Sequence, residues 1–131
     1  AKIECGGEVP QGRGYFYPPT VLSNVPDTAD CVHDEIFGPV AAIQTFTDQQ
    51  DAITRANATE YGLVAYVFSG DFRRGMQVCE RLDYGMVGLN RGLVSDPAAP
   101  FGGTKQSGLG REGGHEGMLE FMETQYISSD W

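Results

Sequence analysis

The run Leu63-Val64-Ala65-Tyr66-Val67-Phe68 constrains the fold of this chain more than any other stretch. It is apolar throughout, too short for an ordinary helix, and shows no alternation. That pattern belongs to a strand covered on both faces, as in a parallel sheet. Its neighbours agree. Upstream, Val40-Ala41-Ala42-Ile43-Gln44-Thr45-Phe46 predicts a buried strand. Thr47 and Gln50 match a capping box, and Asp48 adds negative charge to the first turn of the helix that follows. That helix runs to about Ala58, with Ala52, Ile53 and Ala56 on one face. Downstream, Asp71 caps a second helix on which Phe72, Met76 and Cys79 recur at helical spacing, with Val78 and Leu82 beside them. Gly85 stops it, and residues 86–90 predict a further strand. Strand and helix alternate from 40 to 90, the grammar of βαβ units in an α/β fold with a largely parallel sheet.

The flanks are irregular. Glycine, 18 residues in all, concentrates in 6–14 and 102–117. The first stretch reads as a loop. Tyr15-Phe16-Tyr17 predicts a short strand that Pro18-Pro19 push to a sheet edge, and Thr20-Val21-Leu22 resume it. Residues 26–34 are polar, and Glu35-Ile36-Phe37-Gly38-Pro39 forms a compact turn. Residues 91–111 make a long loop rich in Gly, Pro and Ser, a length that marks a functional segment or a lid. A helix is expected from about Glu112 to Glu123, with Met118, Leu119 and Met122 on its apolar face, and a terminal strand over Gln125-Tyr126-Ile127-Ser128.

A length of 131 residues predicts one domain. Such a chain should bury roughly two thirds of its unfolded surface. The net charge of −9 opposes nucleic acid and anionic membranes as partners, since both call for a basic footprint. No apolar run reaches the roughly 18–20 residues of a membrane-spanning helix. The opening Ala1-Lys2-Ile3-Glu4-Cys5 carries neither initiator Met nor targeting peptide, so the chain is expected to be cut from a longer one. Cys5, Cys31 and Cys79 form an odd set without close pairs, which predicts reduced thiols, a cytoplasmic setting and neither a disulfide framework nor a metal site. His33 and His115 stand far apart in sequence, outside any ligand pattern.

Several patterns invite a chemical reading and lose it on context. Gly108-Leu109-Gly110-Arg111-Glu112-Gly113 is a literal GxGxxG, but Gly103-Thr104-Lys105-Gln106-Ser107 before it predicts no strand, so it is not a dinucleotide fingerprint. Lys105 lacks the spacing of a phosphate-binding loop. Cys79 lies on an apolar helix face beside Glu80, the reverse of the electropositive setting that favours thiolate. Asp34-Glu35 alone would be a solvated acidic turn.

Three stretches in order change that last reading: Glu35-Ile36-Phe37-Gly38-Pro39-Val40, Tyr61-Gly62-Leu63, and Pro100-Phe101-Gly102-Gly103-Thr104-Lys105-Gln106-Ser107-Gly108-Leu109-Gly110-Arg111-Glu112. Together they resemble the aldehyde dehydrogenase superfamily over essentially the whole chain. Asn90-Arg91-Gly92-Leu93-Val94-Ser95 and the 108–117 run are most similar to the succinate-semialdehyde group. The resemblance implies the C-terminal part of the catalytic domain over 1–123, and an oligomerisation strand in a tail over 124–131. It implies NAD or NADP as cofactor, a small aldehyde as substrate and a homo-oligomer as the working state. By the same resemblance Glu35 is the ribose ligand, Phe37 and Leu63 are apolar neighbours of the nicotinamide, and Ser95 and Phe101 line the substrate tunnel, Ser95 toward a distal carboxylate. The family's mechanism uses a cysteine thiolate that attacks the aldehyde carbon, hydride departure to nicotinamide, and a glutamate that activates water on the thioester. The nucleophile and that glutamate match no position here, so the chain is expected to hold no catalytic residue, to be inactive alone and not to bind the cofactor tightly. Other expectations stand beside this one: a different aldehyde, or a stand-alone interaction module without catalysis. A piece of a larger domain should also expose apolar surface and self-associate.

Overall fold

A computed structural model describes residues 1–131. The elements run β1 (Lys2–Cys5), β2 (Thr20–Ser23), α1 (Asp30–His33), β3 (Val40–Ala42), α2 (Gln49–Asn57), β4 (Tyr61–Gly62), β5 (Val64–Val67), α3 (Phe72–Cys79), β6 (Met86–Leu89), β7 (Thr104–Lys105) and α4 (Gly114–Leu119). The class is α/β, with parallel pairs β2–β3 and β5–β6 and antiparallel pairs β1–β2 and β4–β7. These pairs lie in three small sheets rather than one. The chain divides into two compact units, Ala1–Asp51 and Ala52–Trp131, where length alone predicts one domain. Each unit closes its own sheet hydrogen bonds.

In the first unit the hub is Thr20, 3% exposed. Its backbone N–H donates to the Pro39 carbonyl at 2.8 Å. Its hydroxyl donates to the Pro18 carbonyl at 3.0 Å and accepts from the Gly7 N–H at 2.9 Å. Gly6, with φ +71°, passes so close that a Cβ there would stand 2.3 Å from the Pro19 carbonyl oxygen. The strand expected over Tyr15-Phe16-Tyr17 does not form. Gly12 and Gly14 hold positive φ before it, and Pro18-Pro19 cannot donate to a ladder after it. β3 is shorter than the predicted 40–46. After the Ile43 N–H donates to Leu22, the Gln44 side chain ties the strand end to the Val25 carbonyl at 3.1 Å and the Asp27 carboxylate at 2.8 Å. The α2 helix is capped by Asp48, whose carboxylate accepts from the Asp51 N–H at 3.1 Å, one residue later than the expected Thr47. The boundary between the units falls within α2.

In the second unit β5, α3 and β6 form the expected βαβ element, in register from Val64↔Met86 to Val67↔Leu89. Asp71 caps α3 as predicted, accepting from the Arg74 N–H at 3.1 Å. Only part of the expected face packs: Val78, Cys79 and Leu82 are half-buried, whereas Phe72 and Met76 are exposed. Gly75 is buried against β6, where a Cβ would stand 2.6 Å from Leu89 Cδ1, while Phe72 is 69% exposed. The helix comes nearest to the strand at Gly75, where a side chain would collide with Leu89.

The loop expected over 91–111 contains β7, which pairs with β4, and a reciprocal backbone pair between Phe101 and Glu112 at 2.7 Å in each direction. It is pinned rather than free. The last helix is shorter than 112–123, because Gly113 and Gly114 take positive φ and delay its start. Gly117 is its buried residue, and Met118, Leu119 and Met122 stay exposed. Residues 125–128 pair with no strand of this chain.

The buried hydrophobic residues are Val25, Ile53 and Met86, and no large side chain is fully enclosed. The accessible surface is 10303 Å², against roughly 6,800 Å² for a compact protein of this mass. About half of the unfolded surface is therefore buried, not the expected two thirds. Leu63, Tyr66 and Phe68, placed by sequence in a strand covered on both faces, are all exposed. No helix is long and apolar enough to cross a membrane.

Candidate functional site

The Glu35-Ile36-Phe37-Gly38-Pro39 turn lies in the first unit, between α1 and β3. The Asp34 N–H donates to the Asp30 carbonyl at 2.7 Å and closes α1. The Val40 N–H donates to Gly38 at 2.8 Å, and the Pro39 carbonyl accepts from Thr20. Backbone bonds thus hold the turn at both ends and leave its side chains outside. Glu35 is exposed, and the Phe37 ring is 92% exposed. A carboxylate so placed can accept from two vicinal hydroxyls, with an aromatic face nearby in sequence for an apolar ring.

The second unit holds a concave pocket of about 360 Å³, within the lower range for small-molecule sites. Leu63, Phe101, Gly103, Ser107, Arg111 and Glu120 contribute to its lining. Glycine is needed along this wall because backbone meets backbone. A Cβ on Gly102 would stand 2.6 Å from the Gly110 carbonyl oxygen, and one on Gly85 would stand 2.0 Å from that of Gly102. Arg111 Nη1 donates to the Gly103 carbonyl at 2.8 Å and the Gly110 carbonyl at 2.7 Å, and Ser107 Oγ accepts from the Gly62 N–H at 2.9 Å. The literal GxGxxG stretch is part of this pinned wall. It follows a two-residue antiparallel strand, which is no dinucleotide-binding βαβ context.

Lys105 supports the same wall. With φ +56°, it sends its ammonium to the Asn57 and Thr59 carbonyls at 3.1 and 3.2 Å, at the C-terminal end of α2, and over the Tyr84 ring at 5.6 Å. The Tyr84 hydroxyl donates to the Ala56 carbonyl at 2.7 Å. Burial, reinforced by the Asp83 charge, pushes the Tyr84 phenol above its ordinary value. Sequence reasoning assigned no such roles to Arg111 and Lys105. No local pattern marks these roles, because Lys105 reaches the carbonyls of Asn57 and Thr59 and Arg111 that of Gly103, all apart from them in the chain.

Of the five expected site residues, Leu63 and Phe101 meet in the pocket. Ser95 is exposed on the loop leaving β6 in the same unit, outside the lining of that pocket. Glu35 and Phe37 belong to the first unit. Cys5 is exposed, with its sulfur 3.9 Å from the Pro19 carbonyl, and Cys31 and Cys79 are half-buried.

The family model described as the aldehyde dehydrogenase family matches residues 1–127. A succinate-semialdehyde dehydrogenase of Paenarthrobacter nicotinovorans is 60% identical over 122 residues, which is 93% of this chain and 27% of that protein. A glutarate-semialdehyde dehydrogenase of Pseudomonas putida is 45% identical over 127 residues, 97% of this chain and 26% of that protein. The crystal structure of an E. coli NADP dependent enzyme superposes with a TM-score of 0.91 at 44% identity, covering 96% of this chain and 26% of that one. The chain therefore spans about a quarter of the length of the relatives it matches.

Proposed function

The chain belongs to the aldehyde dehydrogenase family, close to the succinate-semialdehyde dehydrogenases, and from that premise we propose that it serves an NAD(P)-dependent enzyme oxidising succinate semialdehyde to succinate through a cysteine thioester. The observation that carries this reading is 60% identity to a succinate-semialdehyde dehydrogenase over 122 residues. Residues 1–123 are then part of the catalytic domain. Residues 124–131 add a strand to a neighbouring subunit, supported by the exposure of Tyr126 and Ile127 and by the lack of a partner strand in this chain. Three free thiols suit the cytoplasm.

Each unit by itself carries groups of the kind a nicotinamide dinucleotide needs: the first an exposed carboxylate at Glu35 and an exposed ring at Phe37, the second an exposed apolar side chain at Leu63. NAD or NADP supplies the hydride acceptor when bound. Glu35 would orient the sugar, and Phe37 and Leu63 would each offer the ring an apolar contact. Phe101 walls the aldehyde against water, and Ser95 donates to the distal carboxylate of the substrate. None of Cys5, Cys31 and Cys79 matches the family's nucleophile, which supports the reading that these 131 residues alone do not turn over substrate.

The test is Ser95→Ala in the full-length enzyme. Loss of a hydrogen bond to a charged group, worth about 1.5–3 kcal/mol, should lower kcat/KM for succinate semialdehyde by about ten- to a hundredfold. Propanal, which has no carboxylate, should be unaffected. Equal losses on both substrates remove Ser95 from the site. A second reading, a longer semialdehyde, is favoured by the 45% identity to a glutarate-semialdehyde dehydrogenase, and holds if glutarate semialdehyde is the better substrate of the two.

A further inference from the structure

The loop that carries Ser95 leaves β6 at its carboxyl end, the edge at which parallel βαβ units present ligand-binding loops. Its course is set at Asn90. The backbone there has φ +53°, a left-handed conformation that Asn adopts more readily than other non-glycine residues. The Asn90 N–H donates to the Val67 carbonyl at 2.8 Å, one rung beyond the β5–β6 ladder. Its carboxamide then closes on the backbone of Ser69 from both sides. Oδ1 accepts from the Ser69 N–H at 2.8 Å, and Nδ2 donates to the Ser69 carbonyl at 2.9 Å. Ser69 is itself held, its hydroxyl donating to the Asp71 carbonyl at 2.8 Å. Further along, Val94 packs on Gly88, where a Cβ would stand 2.9 Å from Val94 Cγ1. Asp96 closes a turn by accepting from the Ala98 N–H at 2.9 Å, and the Gly114 N–H donates to the Pro97 carbonyl at 3.1 Å. Ser95 lies between these anchors.

We infer that Asn90 is a positioning residue for the substrate carboxylate. Its two-way amide clamp ties the carboxyl ends of β5 and β6 at the point where the chain turns toward Ser95, and so sets where the Ser95 hydroxyl stands. It acts through Ser95 and does not touch the substrate. The inference rests on the reading of Ser95 as the carboxylate contact.

The full-length enzyme is the material for the test, as wild type, Asn90→Gly, Asn90→Asp, Ser95→Ala and the Asn90→Gly/Ser95→Ala double variant. Glycine keeps the left-handed backbone and loses both side-chain bonds. Aspartate keeps an acceptor for the Ser69 N–H and loses the donor to its carbonyl. Asn90→Gly should raise KM for succinate semialdehyde about tenfold, with kcat and the kinetics on propanal held within about twofold. Asn90→Asp should fall between wild type and glycine, and it decides the matter if the glycine variant does not fold. In the Ser95→Ala background, Asn90→Gly should cost no further discrimination between the two substrates. Losses equal on both substrates, no loss on either, or effects that multiply with Ser95→Ala would each overturn the inference. Failure of the Ser95 reading shows separately, as a Ser95→Ala single variant that keeps full discrimination.

Discussion

At the scale of single residues, the carboxylate of Glu35 is exposed and open to a ligand. It sits on a turn held entirely through backbone bonds, so changing it need not disturb the fold. Glu35→Gln in the full-length enzyme keeps one acceptor oxygen and loses the charge that strengthens its bonds to a sugar diol. The rate of NAD(P)H formation in the first turnover should fall about tenfold, while acylation of the thiol by p-nitrophenyl acetate, which needs no hydride transfer, stays within about twofold, as rapid-mixing kinetics would read. Hydride transfer that is unchanged, or that falls no more than acylation, refutes the role. Glu35, Phe37, Leu63, Ser95 and Phe101 were named through the resemblance of their motifs to the aldehyde dehydrogenase superfamily, and their roles are proposals. Asn90, Lys105 and Arg111 were not legible as supports. Apart from the Gly110 carbonyl next to Arg111, their carbonyl partners lie 8 to 48 positions away in the chain, and no local pattern reports a carbonyl's direction.

At the scale of elements, the close approaches are backbone to backbone, and glycine is their condition. Gly85→Ala would set a methyl 2.0 Å from the Gly102 carbonyl oxygen and 2.7 Å from the Gly103 Cα, neither of which can rotate away. Overpacking of this kind costs about 1–3 kcal/mol, and denaturant melts should show a loss of that size. Gly92→Ala, with nothing within 4 Å of the new methyl, should stay within about 0.5 kcal/mol of wild type. If the two variants melt alike, the tight packing at Gly85 is not real. The βαβ element and the Asp71 cap were legible, since both rest on local patterns of polarity. The packing face of α3 was legible only in part, through Val78 and Cys79 but not Gly75. Periodicity marks which residues are apolar, and here the helix approaches its strand through Gly75, a residue that carries no hydrophobic signal at all.

At the scale of the whole molecule, the chain has little core and much exposed apolar surface. Phe16, Phe46, Phe68, Phe72, Phe121 and Ile127 are all at least 60% exposed. The isolated 131-residue chain should therefore self-associate, with a mass in light scattering that rises with concentration, and the same preparation should form no NADH or NADPH from succinate semialdehyde. A monomer at every concentration, or turnover by this chain alone, counts against the proposed role. The sequence by itself determined the α/β class, the order of the central strands and helices, and the family, because alternation of polarity and short glycine motifs are local and survive in one dimension. Only the tertiary structure decided the two compact units, the uncovered faces of the Leu63-to-Phe68 run, and the carbonyls that converge on Lys105 and Arg111. Burial and hydrogen bonding between distant residues depend on which surfaces meet, and composition cannot say whether an apolar face has a partner within its own chain.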